Sequence, residues 1–513
     1  MNLLRASATI GSLTLLSRIL GFVRDMMIAT FLGAGMLSDA FLVAFKLPNF
    51  MRQLFAEGAF NAAFVPLYAG TRATQGPDAA KKLAEEIHAV LLLVLIIVSA
   101  LGVIFMPQLM VVLAPGFDSD PEKYRLTVLL TRITFPYMLF ISLVSLQGGI
   151  LNSIDKFAAV AATPVIMNIC LIAAMLLVSP FTPTTAHALA IGVMVSGISQ
   201  YFWLFYFCRR SGVGPRFVKP KLTANVRRLL SLVGPAALGS SVTQINLVVN
   251  VIIASHIAGA VSVLYYAVRI EELPFGVIGI AVSTALLPML SRQIREGKIE
   301  VARHTQNRAL ELSLLFGIPA TVALFVIPYP IVAVIYQHGA FTSADTQATF
   351  KTLIAYAIGL PPALAVKIFA STFYANQDTK TPVRIAIACV CINLVLNLTL
   401  MGPMGYVGLA LSASIASWVN ALSLAHGLHK RTLFVMDATF RFRMLRMMAS
   451  SLLLGGALWA VYSVLKGYFQ GALIIKLLAL SLLIGAGMAV YGGALLAFKV
   501  INVSEMKGYF RRK

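Results

Sequence analysis

The stretch Ser17-Arg18-Ile19-Leu20-Gly21-Phe22-Val23-Arg24-Asp25 sets two arginines and an aspartate inside an otherwise apolar run. On a helical wheel Ser17, Arg18, Gly21, Arg24 and Asp25 fall within about 120°, and Leu15, Leu16, Ile19, Leu20, Phe22 and Val23 fill the remainder. A charge at mid-bilayer depth costs about 2.5–3.5 kcal/mol, so a polar stripe of this kind faces protein or water and not lipid. Arginine stays charged and offers a planar fork of donors that suits phosphate and carboxylate. Two arginines against one carboxylate leave positive charge in surplus. The stripe therefore reads as part of an anion site. The plainer reading is a structural ion pair that joins Arg24 or Arg18 to Asp25.

Composition carries the same message. The 513 residues are 59% hydrophobic and 12% charged, against the roughly 25% charge of soluble domains. Mean hydropathy is +0.86. These values describe an all-α polytopic membrane protein. The net charge of +22 would suggest nucleic acid in a soluble chain. Here it is expected to arise from Lys and Arg gathered in short loops on one side of a membrane, and no nucleic-acid partner is implied. The four cysteines, Cys170, Cys208, Cys389 and Cys391, lie in apolar stretches with neither zinc spacing nor a disulfide framework. No histidine pair has metal-ligand spacing and no Walker motif occurs, so neither a metal, a cofactor nor ATP-driven pumping is expected. No small-residue cleavage pattern follows the first apolar run, which is expected to stay as the first span.

A span takes about 20 mostly apolar residues, and that length divides the chain into about fourteen segments, from 8–32 to 471–499. With the N-terminus in the cytoplasm, the basic clusters at 209–228, 292–303 and 430–446 and the basic C-terminal tail all fall inside. The acidic loop with Asp118, Asp120, Glu122 and Lys123 falls outside. Both termini are then cytoplasmic. A weak repeat of about 225 residues relates Ala44-Phe45-Lys46-Leu47-Pro48 to Ala267 through Pro274, and it runs in the same direction in both copies. A parallel repeat of this type puts the site between the halves near mid-membrane. The expected organisation is an N-terminal lobe at 1–218, a C-terminal lobe at 219–433, and a helix pair with its basic tail at 434–513.

Both copies of the repeat hold charge beside a proline. In the second segment Asp39, Lys46, Gln53 and Glu57 would share one face, and Asn49 and Arg52 follow Pro48. In the eighth, Arg269, Glu271 and Glu272 precede Pro274. Proline removes a donor and clashes with the preceding turn, so each helix is expected to break there, with Pro48 and Pro274 as hinges. Freed amides at such a break favour an anion. Arg269 and Glu272, three apart, are placed to pair along the helix. Lys367 and Arg132 lie in repeat-related segments, as supporting cations or as side chains that snorkel to the interface.

At these residues the chain resembles a known family, the lipid II flippases (MurJ/MviN family) of the multidrug/oligosaccharidyl-lipid/polysaccharide exporter superfamily. The resemblance rests on 17–25, on Asp39-Ala40-Phe41 with Phe45-Lys46-Leu47-Pro48-Asn49, on Arg52 with Phe55-Ala56-Glu57-Gly58-Ala59-Phe60, on Tyr265-Tyr266-Ala267 with Arg269 and Glu272-Leu273-Pro274, and on Gln377-Asp378-Thr379-Lys380-Thr381-Pro382. It implies two six-helix lobes in a V plus two C-terminal helices that border a groove for a polyprenyl tail. It implies a flippase, not an enzyme, that moves undecaprenyl-pyrophosphate-linked lipid II from the inner to the outer leaflet of the bacterial inner membrane by alternating access. Substrate contacts are then expected at Arg18, Arg24, Asp25, Asp39, Lys46, Asn49, Arg52, Glu57, Ser262, Arg269 and Glu272. Its partners would be lipid II, membrane lipids and the cell-wall synthesis machinery. Where some relatives that resemble sodium-coupled carriers have an acidic residue late in the seventh segment, this chain has Asn246 and Asn250. The alternatives are a flippase for another polyprenyl-linked glycan and a cation or drug antiporter of the same superfamily, whose cavity should be net acidic.

The loop charges predict that single cysteines at Ser119 and Ser504 are labelled by an impermeant reagent from opposite sides of the membrane. Labelling of both from one side would overturn the assigned topology.

Overall fold

A computed structural model describes residues 3–51 and 60–500. Every regular element among them is helical. Backbone contacts divide the chain into two compact units: residues 1–262 with 338–341, and residues 263–337 with 342–513.

The first unit begins with α1 (Leu3–Leu32), α2 (Met36–Met51), α3 (Phe60–Gln75) and α4 (Pro77–Ile104). It continues through α5 (Met106–Leu113), α6 (Pro121–Thr134), α7 (Tyr137–Asn152), α8 (Phe157–Ala161) and α9 (Thr163–Ala173). It closes with α10 (Thr185–Arg210), α11 (Ala224–Ser255) and the first turn of α12 (Ala260–Arg295). Local signals set the starts of these helices. Asp120 accepts the backbone N–H of Lys123 with Pro121 in the first turn of α6, and Thr223 caps α11 through the N–H of Val226. The core at one end joins Phe64 and Tyr68 of α3, Leu83 and Ile87 of α4, Leu146 and Ile150 of α7, and Val226 and Leu229 of α11.

At the other end the chain crosses itself closely. Gly339 has φ +56°, and a Cβ there would stand 2.4 Å from the carbonyl oxygen of Thr30. Its neighbour Ala340 donates its N–H to that same oxygen at 2.8 Å. Only glycine meets both the left-handed backbone and the short approach.

The second unit holds the rest of α12, then α13 (Ile299–Val326), α14 (Pro328–Ile335), α15 (Ser343–Ala357), α16 (Leu360–Ala375), α17 (Lys380–Lys430), α18 (Ala438–Leu465) and α19 (Leu473–Ala497). Helix α17 is two helices joined at Gly405, whose φ of 56° and ψ of −134° are not helical. A capping box of Thr342 and Asp345 starts α15. Asp378 accepts the N–H and hydroxyl of Thr381 and a guanidinium N–H of Arg431, and these donors hold its carboxyl well below the usual carboxylate range. Leu290, Leu310, Phe369, Phe373 and Leu428 centre the core of this unit, and Leu454, Leu458 and Leu483 lock α18 to α19.

Large apolar side chains cover much of the surface as well as the core. Val464, Ile474 and Leu452 are each more than 70% exposed on α18 and α19. Such a surface is at home only in hydrocarbon. Among the described residues, eight helices are long and apolar enough to cross a membrane, or nine when α15 and α16, bent by 41°, count as one span. Apolar segment length alone leads to an expectation of about fourteen. Part of the difference lies in α17, which counts once although Gly405 divides it. Other expected spans carry charge, as α1 does with Arg18, Arg24 and Asp25, and charge lowers the apolar average. The protein is an all-α multi-pass membrane protein.

The prolines differ from expectation. Pro274 and Pro288 both lie inside α12, which stays helical to Arg295, and Pro48 lies inside α2, which stays helical to Met51. A proline deletes one ladder bond, and the helix absorbs that loss without ending. The expected chain break is therefore absent at Pro274.

An ion network ties α18 to α13. Arg308 pairs with both Glu311 and Asp437, Arg443 donates to Glu311 at 2.9 Å, and Asp437 caps α18 at Phe440. Glu311 is buried. Changing Glu311 to Ala removes the buried acceptor that Arg308 and Arg443 share, and Arg308 keeps Asp437, so thermal unfolding in detergent should show a loss on the order of 1–3 kcal/mol. An unchanged unfolding temperature would mean that apolar packing alone fixes α18.

Candidate functional site: buried charge in each unit

In the first unit Asp39 is fully buried on the first turn of α2. Four donors converge on it. Lys123 Nζ lies 2.7 Å from Oδ2, and the N–H of Gly259 lies 3.1 Å from the same oxygen. The N–H and hydroxyl of Ser262 reach Oδ1 at 2.8 and 2.7 Å. Lys123 also stands over the ring of Phe117, 4.0 Å from its centre. The carboxylate thus caps the start of α12 and meets its positive dipole end. Asp39 and Ser262, both expected as substrate contacts, are joined to each other here. Either becomes available to a ligand only when this set opens.

The stripe of α1 makes a second site in the same unit. Arg24 and Asp25 are both buried. Arg24 gives Nε and Nη2 to Asp25 Oδ1 at 3.0 and 2.7 Å, and Nη1 to Asn168 Oδ1 at 2.9 Å. Asn168 on α9 in turn donates to the carbonyl of Ser17 at 2.9 Å. Among the described residues, three bonds hold the planar fork inside its own unit. Arg18, one turn earlier, is exposed and forms no ion pair with the described residues. Lys46 is exposed, Asn49 is half-buried and Pro48 is buried on α2. Arg52 and Glu57 lie outside the described residues.

In the second unit Arg269 is half-buried on α12. It donates to Glu272 at 2.8 Å, the expected spacing of three along the helix, and its guanidinium stands 4.9 Å from the ring centre of Tyr265. Glu272 is 49% exposed, so its carboxylate remains within reach of solvent or ligand. Lys367 on α16 is exposed and lies 5.7 Å from the ring centre of Phe275. Arg132 serves the structure, because its Nε donates to the carbonyl of Val103 at 3.1 Å, where α4 ends. No group of His, Cys, Asp and Glu among the described residues is arranged to hold a metal ion.

Reasoning from sequence misses Lys123 and Asn168. Lys123 reads as a loop charge because it follows Pro121 in an acidic segment, although its side chain is buried. Asn168 is a lone amide in an apolar run, and that isolation was its only signal.

Comparison with known proteins supplies the family. Residues 28–479 match the family model described as lipid II flippase MurJ. A probable lipid II flippase MurJ of Rhizobium tropici is 38% identical over 100% of this chain and 97% of its own length. A lipid II flippase MurJ of Burkholderia cenocepacia is 37% identical over 85% of each chain. A solved structure described as lipid II flippase MurJ in an inward closed conformation is 30% identical, has a TM-score of 0.78 and covers 96% of this chain and 97% of its own. An inward-facing multidrug resistance MATE family transporter of the MOP superfamily is 13% identical with a TM-score of 0.66, covering 86% of this chain and 98% of its own, which shows a shared fold alone.

The Asp39–Lys123 pair makes a testable case. Lys123→Met leaves a buried carboxylate without its cation and should lower stability by about 3–5 kcal/mol. Adding Asp39→Asn should recover part of that loss, with a coupling of at least about 1 kcal/mol in a double-mutant cycle read by thermal unfolding. Strict additivity would show that the two charges do not depend on each other.

Proposed function

This chain belongs to the lipid II flippase MurJ family, and from that premise we propose that it moves lipid II from the inner to the outer leaflet of the bacterial inner membrane. It does so by alternating access, with both termini in the cytoplasm. The observation that carries the reading is the pairing of membrane-embedded arginines with exchangeable acceptors. Arg24 is held by Asp25 and Asn168, and Arg269 by Glu272.

Each guanidinium keeps its charge throughout, because arginine does not deprotonate in a protein. A diphosphate offers the same bidentate geometry as a carboxylate with more negative charge. The head group therefore competes for the fork, and Asp25 or Glu272 loses its arginine partner. That displacement costs most at Asp25, which is buried, and least at Glu272, which is half exposed. The carboxylates recapture their arginines when the substrate leaves, so the empty carrier does not stay charged and open. Arg18, Lys46, Asn49, Arg52 and Glu57 complete the set of head-group contacts from α1, α2 and the segment after it. Asp39 and Ser262 act by closing and opening the start of α12. The protein is a carrier of a lipid-linked precursor and works beside the cell-wall synthesis machinery.

The test is growth and lipid II translocation with each variant as the sole copy. Arg24→Ala and Arg269→Ala should abolish transport while the protein still inserts. Arg24→Lys and Arg269→Lys should keep the charge, lose the fork and fall by about tenfold or more. Normal growth of both Ala variants at normal expression would refute the role given to the arginines.

A further inference from the structure

Three threonines of α6, Thr127, Thr131 and Thr134, are fully buried. Thr127 donates its hydroxyl to the carbonyl of Lys123 at 2.7 Å, and Thr131 donates to that of Thr127 at 2.6 Å. Each bond runs four residues back along the same helix, which is a common habit of helical threonines. Thr134 departs from it. Its hydroxyl crosses to α2 and lies 2.8 Å from the carbonyl oxygen of Ala44, whereas the carbonyl of Thr131 in its own helix is 3.3 Å away.

Pro48 explains the departure. In an α-helix the carbonyl of Ala44 would accept the N–H of residue 48, and proline has none. The proline ring also crowds that carbonyl and turns it aside. Ala44 is fully buried, so its freed oxygen calls for a donor from a neighbouring helix. The same exchange occurs twice in the second unit. Pro319 lies inside α13, and the carbonyl four residues before it, that of Leu315, accepts the hydroxyl of Tyr491 from α19 at 2.6 Å. Four residues before Pro362, the carbonyl of Ile358 accepts Trp418 Nε1 from α17 at 3.0 Å. At all three prolines a side chain from another helix stands in for the missing N–H.

Thr134 differs from the other two stand-ins in what its bond controls. The turn of α2 that follows Ala44 carries Lys46 and Asn49, and Arg52 comes next in the sequence. We propose that Thr134 is a positioning residue for head-group recognition. Its hydroxyl holds the carbonyl of Ala44 out of the helical ladder and so fixes, through α6, the direction in which α2 presents Lys46 and Asn49. Helix α6 also holds the first turn of α2 through Lys123 and Asp39. Two ties to one neighbour make α2 follow α6 as a single body. The inference rests on the carrier reading above and adds to it a residue that touches no ligand.

The clasp is tested by a double-mutant cycle in the full chain, read by thermal unfolding in detergent. Thr134→Val keeps the shape and removes the hydroxyl, so it should lower the unfolding temperature, and Thr134→Ser should restore most of the loss. Pro48→Ala returns an N–H to position 48, so in that background Thr134→Val should cost far less. An equal loss in both backgrounds would overturn the bond between Thr134 and the freed carbonyl. If Thr134→Val does not fold alone, its recovery in the Pro48→Ala background supports the clasp, and failure to recover overturns it. Translocation of lipid II in vesicles, per inserted protein, separates positioning from stability. Thr134→Val should fall by about tenfold, and Thr134→Ser should stay near the parent. The double variant should regain stability without regaining transport, because a closed ladder no longer leaves the aim of this turn to α6. Transport that returns together with stability would make Thr134 a structural tie and overturn its positioning role. A parent that moves no lipid II would refute the carrier reading, whereas the stability cycle would still decide the clasp.

Discussion

A carboxylate with no exposure to solvent survives in this protein because four donors converge on it. Asp39 would otherwise bear the full cost of a charge taken out of water. Lys123 supplies the opposite charge, and Gly259 and Ser262 supply donors from the start of α12. The rest of that end of the first unit follows from this arrangement. The turn before α12 must come close, and Gly259 adopts φ +71° to allow it. Gly116 packs against Ser255, whose hydroxyl takes its N–H at 3.0 Å. Gly339 presses on Thr30 nearby in the same unit. Glycines appear where the backbone must approach a neighbour, and charge appears where the backbone must be held.

The same reasoning separates two kinds of buried charge. Asp39 is saturated, so it is suited to a contact that is either whole or broken. All three nitrogens of Arg24 are also engaged, and among the described residues their acceptors are one carboxylate and one amide oxygen. Swapping an acceptor leaves its geometry intact, whereas swapping a donor around Asp39 would dismantle the cap of a helix. Arg269 is looser still, half-buried with a half-exposed partner. A graded series of this sort fits a carrier, in which some pairs must yield to a ligand and others only to a change of state.

Much of this was legible in the sequence because hydrocarbon leaves few options. Backbone polar groups must pair within helices, and charge must turn away from lipid. The stripe on α1 and the pairing of Arg269 with Glu272 follow from spacing alone. What spacing could not give was partnership across sequence. Nothing near residue 123 tells that its ammonium belongs to Asp39, which lies 84 positions away. Asn168 is 144 positions from Arg24. The proline rule also overreached. It treats the lost donor as a chain break, whereas a long helix packed on its neighbours carries Pro274 within it.

The excess of arginine over available carboxylate in the first stripe now has a physical meaning. Asp25 is taken up by Arg24, so Arg18 is left exposed on the same helix without an ion pair among the described residues. A purely structural network would tend to balance its charges, since a lone cation on an apolar helix adds cost and no stability. An unbalanced stripe is stable only when something anionic is present part of the time, or when water reaches it. Either condition requires a cavity and not a lipid face. A soluble counter-ion would neutralise such a stripe without discriminating among ligands. In the reading proposed above, a diphosphate fixed to a lipid would meet such a stripe in one orientation and would not diffuse away once its tail is held in the bilayer. That is the advantage a membrane-tethered anion would have over a free one.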